Sequence, residues 1–204
     1  MQTNILMTPP SSQAKIILAS TSPFRKEILS RLGLPFETCS PDVNETALAD
    51  ESAEALVARL AEAKARTIAK QYKDALVIGS DQVAVLDGAI LGKPGNHEKA
   101  MAQLKQASGK SVIFYTGLCL INSTSGNTQV DVIPFEVFFR DLSDQQIENY
   151  LQREQPYNCA GSFKSEGLGI SLFEKLNGDD PNTLIGLPLI RLVRMLENEG
   201  IEII

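Results

Sequence analysis

The stretch Ala75-Leu76-Val77-Ile78-Gly79-Ser80-Asp81-Gln82-Val83-Ala84-Val85-Leu86, followed at once by Asp87-Gly88, decides how this chain is read. A run this rich in β-branched and apolar residues, closed by a turn dipeptide, predicts a buried strand. Asp-Gly is a favoured pair for a two-residue hairpin, so the chain should turn back at once along this strand. With Leu86 opposite Ala89, the register carries Lys93 back beside Gln82 and makes Asp81 and Lys93 neighbours. An aspartate in so apolar a strand loses hydration unless a cation or several donors meet it. Either Asp81 and Lys93 brace the hairpin as an ion pair, which is a costly way to stabilise it, or Asp81 has a chemical task.

Working outward, the same alternation of element types continues on both sides. Upstream lie an apolar run Ile16-Ile17-Leu18-Ala19, a helix from Pro23 to Leu32 and a helix from Ala53 to Tyr72. Downstream, Asn96 opens a helix ending before Gly109, and Ser111 to Asn122 and Thr128 to Phe139 read as strands joined at Ser125-Gly126-Asn127. Ser143-Asp144-Gln145-Gln146 has capping-box spacing, and a last helix runs from Leu187 to Glu199 before Gly200. Residues 157–186 are rich in Gly, Asn, Ser and Asp around one strand-like piece. Strands alternating with helices predict an α/β fold, and the central hairpins predict a mixed sheet. Residues 1–14, with Pro9-Pro10-Ser11-Ser12 and no periodicity, are expected to be a flexible leader to a single domain over 15–204.

Composition narrows the function classes. The 204 residues, 43% of them apolar, suffice for one sizeable core. With 25 acidic against 19 basic residues and a net charge of -6, the chain lacks the excess cations that a nucleic-acid or anionic-membrane surface needs. A phosphate ligand would have to be held locally. Cys39, Cys119 and Cys159 have neither metal-type nor disulfide-type spacing and read as thiols in a reducing compartment. No run approaches a membrane span or a secretory signal, so the cytoplasm is the expected location.

Three places can carry chemistry. Leu18-Ala19-Ser20-Thr21-Ser22-Pro23-Phe24-Arg25 is a strand end running straight into a helix capped by Ser22 with Pro23 at its first position. Such a helix N-terminus suits a phosphate, and Arg25 shares the stripe of Ile28, Leu29 and Leu32, so it should point inward. An ordinary capped helix with an exposed Arg is the alternative. Lys64 falls within the apolar face formed by Val57, Leu60, Ala61 and Ile68, where it either meets a partner or lays its stem along the core with its amine in water. Asp81 and Lys93 complete the set. Two lysines, an arginine, a helix N-terminus and an acid able to hold a divalent metal or take a proton describe a triphosphate site with a hydrolytic centre. No P-loop or dinucleotide glycine pattern occurs, and His97, the one histidine, reads as surface.

Taken in order, Leu18 to Arg25, Ala63-Lys64-Ala65, Gly79-Ser80-Asp81-Gln82-Val83, Leu91-Gly92-Lys93-Pro94, Tyr115-Thr116-Gly117, Cys159-Ala160-Gly161-Ser162-Phe163 and Ile185-Gly186-Leu187-Pro188-Leu189 resemble the Maf family of nucleotide pyrophosphatases over Lys15 to Ile204. The resemblance implies an elongated two-lobed α/β fold similar to inosine-triphosphate pyrophosphatases, a homodimer, and a nucleotide held in a cleft between the lobes. It further implies a divalent cation, Mg²⁺ or Mn²⁺, with Glu45 and Asp81 at the metal, Asp81 as proton acceptor, and Ser20, Ser22, Arg25, Lys64 and Lys93 around the phosphates. Phe24, Gln82 and Glu166 stand where the dTTP/UTP-hydrolysing branch carries Arg, Thr and Gln, and all three match the branch that prefers 7-methyl-GTP. The physical reading agrees: an aromatic face favours a cationic base, and a carboxylate accepts from the N–H edge of guanine. Phe24 as a core aromatic and Glu166 as a solvated loop acid are the plain alternatives. The expected reaction is hydrolysis of 7-methyl-GTP to 7-methyl-GMP and pyrophosphate. A dTTP/UTP or broad pyrophosphatase, and a nucleotide-binding regulator of cell division, are the other readings.

Overall fold

The structure, a computed structural model, describes residues 14–204, so nearly all of the expected leader lies outside the described residues. The elements in order are β1 (Lys15–Ala19), α1 (Pro23–Ser30), β2 (Phe36–Cys39), α2 (Ala53–Ala69), β3 (Ala75–Leu86), β4 (Ala89–Leu91), α3 (His97–Ala107), β5 (Ser111–Asn122), β6 (Thr128–Phe139), α4 (Asp144–Glu154), β7 (Phe173–Asn177), α5 (Pro181–Ile185) and α6 (Leu189–Asn198). Two short 3-10 turns, Ala160–Ser162 and Leu168–Leu172, precede β7. One sheet runs in the order β2-β1-β3-β5-β6-β7, with β4 paired to β3. Pairs β2–β1 and β1–β3 are parallel and the rest antiparallel, the mixed sheet that the hairpins predict.

Both long strands after the first hairpin and β3 itself have the expected bounds, and the capping box at Ser143 forms. Asp87 and Gly88 both take positive φ, as a two-residue hairpin turn of this twist requires. Five elements differ from expectation. Strand β2 and helix α5 were not anticipated, and the last helix starts at Leu189 because Pro188 caps it. Helices α1 and α2 also stop short of Leu32 and Tyr72, each ending in overlapping tight turns.

The sheet is covered differently at its two ends. Around β1 and the first half of β3, one face (Leu18, Leu76, Ile78, Leu118, Leu120) packs on α1 and α6, and the other (Ile17, Ala19, Val77, Cys119) packs on α2. Around the second half of β3, only the face of Ala84, Leu86, Phe114, Val137 and Phe139 is buried, under α3 and α4. Strand β3 records the change residue by residue: it is buried without interruption through Asp81, then mixes buried and half-buried positions.

One edge of β3 is interrupted where the coverage changes. Strand β1 pairs with β3 only as far as Leu18 opposite Ile78, and β4 only from Leu91 opposite Ala84. Residues 79–83 therefore have no ladder partner on that edge. The chain leaves β1 toward Ser20 on one side of this gap and leaves β4 toward Lys93 on the other.

Candidate active site

The gap opens into a cavity of about 770 Å³, a size suited to a small-molecule ligand. Its lining contains every residue singled out from the sequence: Ser20, Ser22, Phe24 and Arg25 from the start of α1, Glu45 from the loop before α2, Lys64 from α2, Asp81 and Gln82 from β3, and Lys93 and Glu166 from the opposite side.

Local sequence explains how each is presented. The Ser22 side chain caps α1, accepting from the Arg25 N–H, while the Ser22 N–H donates to Ser20 Oγ at 3.1 Å. Arg25 does turn inward: its Nε donates to the Gly186 carbonyl at 2.8 Å, and burial pushes its guanidinium below its ordinary value against the pull of Asp81 and Glu45. Helix α2 reaches the sheet because Gly79 and Gly117 lie beneath it. A Cβ on Gly79 would stand 2.8 Å from the Ala65 nitrogen, and one on Gly117 would run into the Val57 carbonyl. This approach brings Lys64, 7% exposed, onto Asp81, which is 9% exposed.

The amine of Lys64 is therefore not in water. Its Nζ lies 2.6 Å from Asp81 Oδ1 and 2.6 Å from Glu45 Oε1. The bond from Lys64 holds the Glu45 carboxyl below the usual carboxylate range, with Lys93 and Arg25 adding to the effect. The neighbour expected for Asp81 was Lys93, and this is corrected. The chain quits the ladder after Leu91, two residues before Lys93 would reach Gln82, and the ion pair forms with Lys64 instead.

On the other face of β3, Ser80 Oγ donates to the Gly186 carbonyl and Gln82 Nε2 donates to the carbonyls of Thr183 and Leu184. Phe24 belongs to none of the three packed cores among the described residues, so it is not a core aromatic. Glu166 is exposed and accepts only from Ser165, at 3.4 Å. His97 is half-exposed but tied, with Nδ1 3.1 Å from the Tyr157 hydroxyl and Nε2 2.9 Å from the Glu148 carboxylate.

The family of Maf-like proteins matches residues 15–199. The chain belongs to the Maf family. A relative from Nitrosococcus oceani named 7-methyl-GTP pyrophosphatase is 60% identical over 196 residues, covering 96% of this chain and 98% of the relative. One of the same name from Pseudomonas aeruginosa is 58% identical over 188 residues, covering 92% and 98%. Among solved structures, the Ham1 protein of Staphylococcus aureus aligns with a TM-score of 0.50 at 14% identity, covering 91% of this chain and 99% of that one, a likeness of fold.

Two carboxylates of the cavity, Glu45 and Asp81, are oxygen donors of the kind a hard divalent ion takes. Among the described residues, no group of three or more His, Cys, Asp or Glu side chains stands together as a ligand set. Glu45 and Asp81 nevertheless converge on one ammonium, and an Mg²⁺-type ion commonly takes one or two carboxylates and completes its shell with water and substrate phosphates. Sequence reasoning missed the ties formed by Thr116 and by the carbonyls of Thr183, Leu184 and Gly186. The signals were Thr116 within Tyr115-Thr116-Gly117 and Gly186 within Ile185-Gly186-Leu187-Pro188-Leu189.

Proposed function

We propose that this protein hydrolyses 7-methyl-GTP to 7-methyl-GMP and pyrophosphate. The observation that carries the reading is the pairing of Asp81 with Lys64 at the gap in the sheet, beside a helix N-terminus and Arg25 in one cavity. The Maf membership and the names of the relatives support the same substrate.

In this reading, water attacks the α-phosphorus, a new O–P bond forms, and the bond from the α-phosphorus to the α–β bridging oxygen breaks. Oδ1 of Asp81 is engaged by Lys64, which leaves Oδ2 to accept the proton of the attacking water. Lys64, Arg25 and Lys93, with the N–H groups at the start of α1, hold the triphosphate and meet the charge that grows on the leaving pyrophosphate. Glu45 and Asp81 are the residues that would hold a divalent cation, Mg²⁺ or Mn²⁺. Such an ion supplies further positive charge to the phosphates. Phe24 offers an aromatic face to the cationic base, and Gln82 and Glu166 offer it polar groups. Glu166 is presented from an exposed turn, so its contribution depends on the base covering it. A homodimer belongs to the same reading and is checked by light scattering.

The test is a screen of the purified protein against 7-methyl-GTP, GTP, dTTP and UTP, with and without Mg²⁺ or Mn²⁺, with the products identified. Pyrophosphate and 7-methyl-GMP are expected. Orthophosphate with a remaining diphosphate, or no turnover of any triphosphate, would exclude the reaction. Replacing Phe24, Gln82 and Glu166 by Arg, Thr and Gln should lower kcat/KM for 7-methyl-GTP at least about tenfold, roughly 1.4 kcal/mol. An unchanged order of preference would show that other residues read the base.

A further inference from the structure

Thr116 is fully buried and stands directly opposite Gln82 across the β3–β5 ladder. Its hydroxyl has one hydrogen, and that hydrogen goes to the Thr183 carbonyl at 3.1 Å. Its oxygen is then free to accept, and Gln82 Nε2 donates to it at 2.9 Å. The same nitrogen lies 2.7 Å from the Thr183 carbonyl and 3.3 Å from the Leu184 carbonyl. Carbonyls only accept, so the limb of the Gln82 amide facing them must be the N–H₂ limb. An amide turned the other way would set its oxygen against two carbonyl oxygens and a hydroxyl already committed elsewhere. Both hydrogens of the amide are therefore used within the protein. No described residue donates to the remaining atom, Oε1, although Gln82 lines the cavity.

We propose that Thr116 is a positioning residue that, together with the Thr183 and Leu184 carbonyls, locks Gln82 as an acceptor, so that this position selects bases presenting an N–H donor. The proposal rests on the 7-methyl-GTP reading and deepens it. Gln82 could in principle donate to a base carbonyl as readily as accept from a base amine, and the lock removes the first option. With Glu166 also acceptor-only when ionised, both polar base-facing groups ask for donors. The N1–H and 2-amino edge of a guanine supplies them, whereas a base whose matching edge is a carbonyl leaves Oε1 without a partner. The lock also accounts for Thr116, whose hydroxyl is otherwise an unneeded polar group in a buried strand.

The test uses the full-length protein, two substitutions at Thr116 and one at Gln82, with modified triphosphates as probes. Thr116→Val keeps the shape and removes the hydroxyl, and it should lower the kcat/KM preference for 7-methyl-GTP over UTP by roughly threefold to tenfold. Thr116→Ser should restore it. Polarity is read by comparing wild type with Gln82→Leu on 7-methyl-GTP and two analogues, one lacking the 2-amino group and one in which sulfur replaces the 6-oxygen, so that N1–H is kept and only the acceptor is weakened. The penalty for losing the donor should shrink in Gln82→Leu, and the penalty for replacing the 6-oxygen should stay the same. If only the 6-oxygen penalty shrinks, Gln82 donates and the proposal is overturned. An unchanged preference in folded Thr116→Val also overturns it. Should Gln82→Leu fail to fold, the Thr116 pair decides alone. Wild-type protein that does not turn over 7-methyl-GTP would instead overturn the substrate assignment on which the proposal rests.

Discussion

The two halves of β3 obey different rules within one strand. From Ala75 to Ile78 every side chain is buried, because α1 and α6 cover one face and α2 the other. From Gln82 to Leu86, Ala84 and Leu86 are buried under α3 and α4, while Val83 and Val85 stay half-exposed. A strand covered on both sides reads as a continuous apolar run, and one covered on a single side reads as alternation. Ser80-Asp81-Gln82 sits at the join, where one edge of the strand has no partner. Polar groups can approach there from both faces and from the open edge. The site thus occupies the place where the sheet changes its mode of burial.

Substitution at the join itself should have the largest effect. Asp81→Asn keeps the shape but accepts no proton, so kcat should fall about 10²- to 10⁴-fold with KM little altered, equivalent to roughly 3–5 kcal/mol of barrier. Near-normal turnover would remove Asp81 from the role given to it. Between the halves, Ile78→Ala should cost about 2–5 kcal/mol in urea denaturation, whereas Val85→Ala should cost less than about 1 kcal/mol. Equal losses would mean that the far half is as enclosed as the near one. Gly79→Ala pushes a methyl group into the backbone of α2, which cannot swing aside as a side chain could. A loss of about 3 kcal/mol is expected, together with a fall in activity as Lys64 is displaced from Asp81.

The smallest effect concerns pH. Glu45 is held below its ordinary value by Lys64, so its contribution to stability is present above the unfolded carboxylate pKa of about 4.3 and is lost as pH falls through the lower folded value. Glu45 is more than half exposed, and solvent screening keeps the effect small. Removing the ammonium in Lys64→Met should therefore flatten the fall of Tm below about pH 4 relative to wild type. Parallel curves would show that the Glu45–Lys64 pair contributes nothing.

Much of this was legible in the sequence, for reasons that differ by residue. Strand β3 and the β5–β6 hairpin have long apolar or alternating patterns and strong turn signals, and their bounds follow. Lys64 on an apolar face and Asp81 within an apolar strand each demanded a partner, and the fold brings them to each other. Strand β2 was not legible because Phe36-Glu37-Thr38-Cys39 lies on an edge, with Phe36 and Cys39 half-buried, Glu37 and Thr38 exposed, and no period of two. Helix α5 has five residues, too few for periodicity, and is held by its Asp180 cap and by contacts from Arg31, Thr116 and Gln82. Glu45 carries no pattern of its own, so only the family resemblance pointed to it. Thr116 could not be placed opposite Gln82, because the two strands are separated by a hairpin and a helix whose path the sequence does not define.

The long β5–β6 hairpin has a further consequence, for the order in which the molecule assembles. Its strands turn back across residues 123–127, so their pairing closes a very short stretch of chain. Pairing of β1 with β3 closes a loop that contains α1, β2 and α2, and closure entropy grows with loop length. Local contacts form sooner than distant ones, so the hairpin should be present while Ser20 and Arg25 are still far from Asp81. Catalytic competence would then arrive with the last strand pairing, and refolding followed by turnover should lag behind refolding followed by hairpin amide protection.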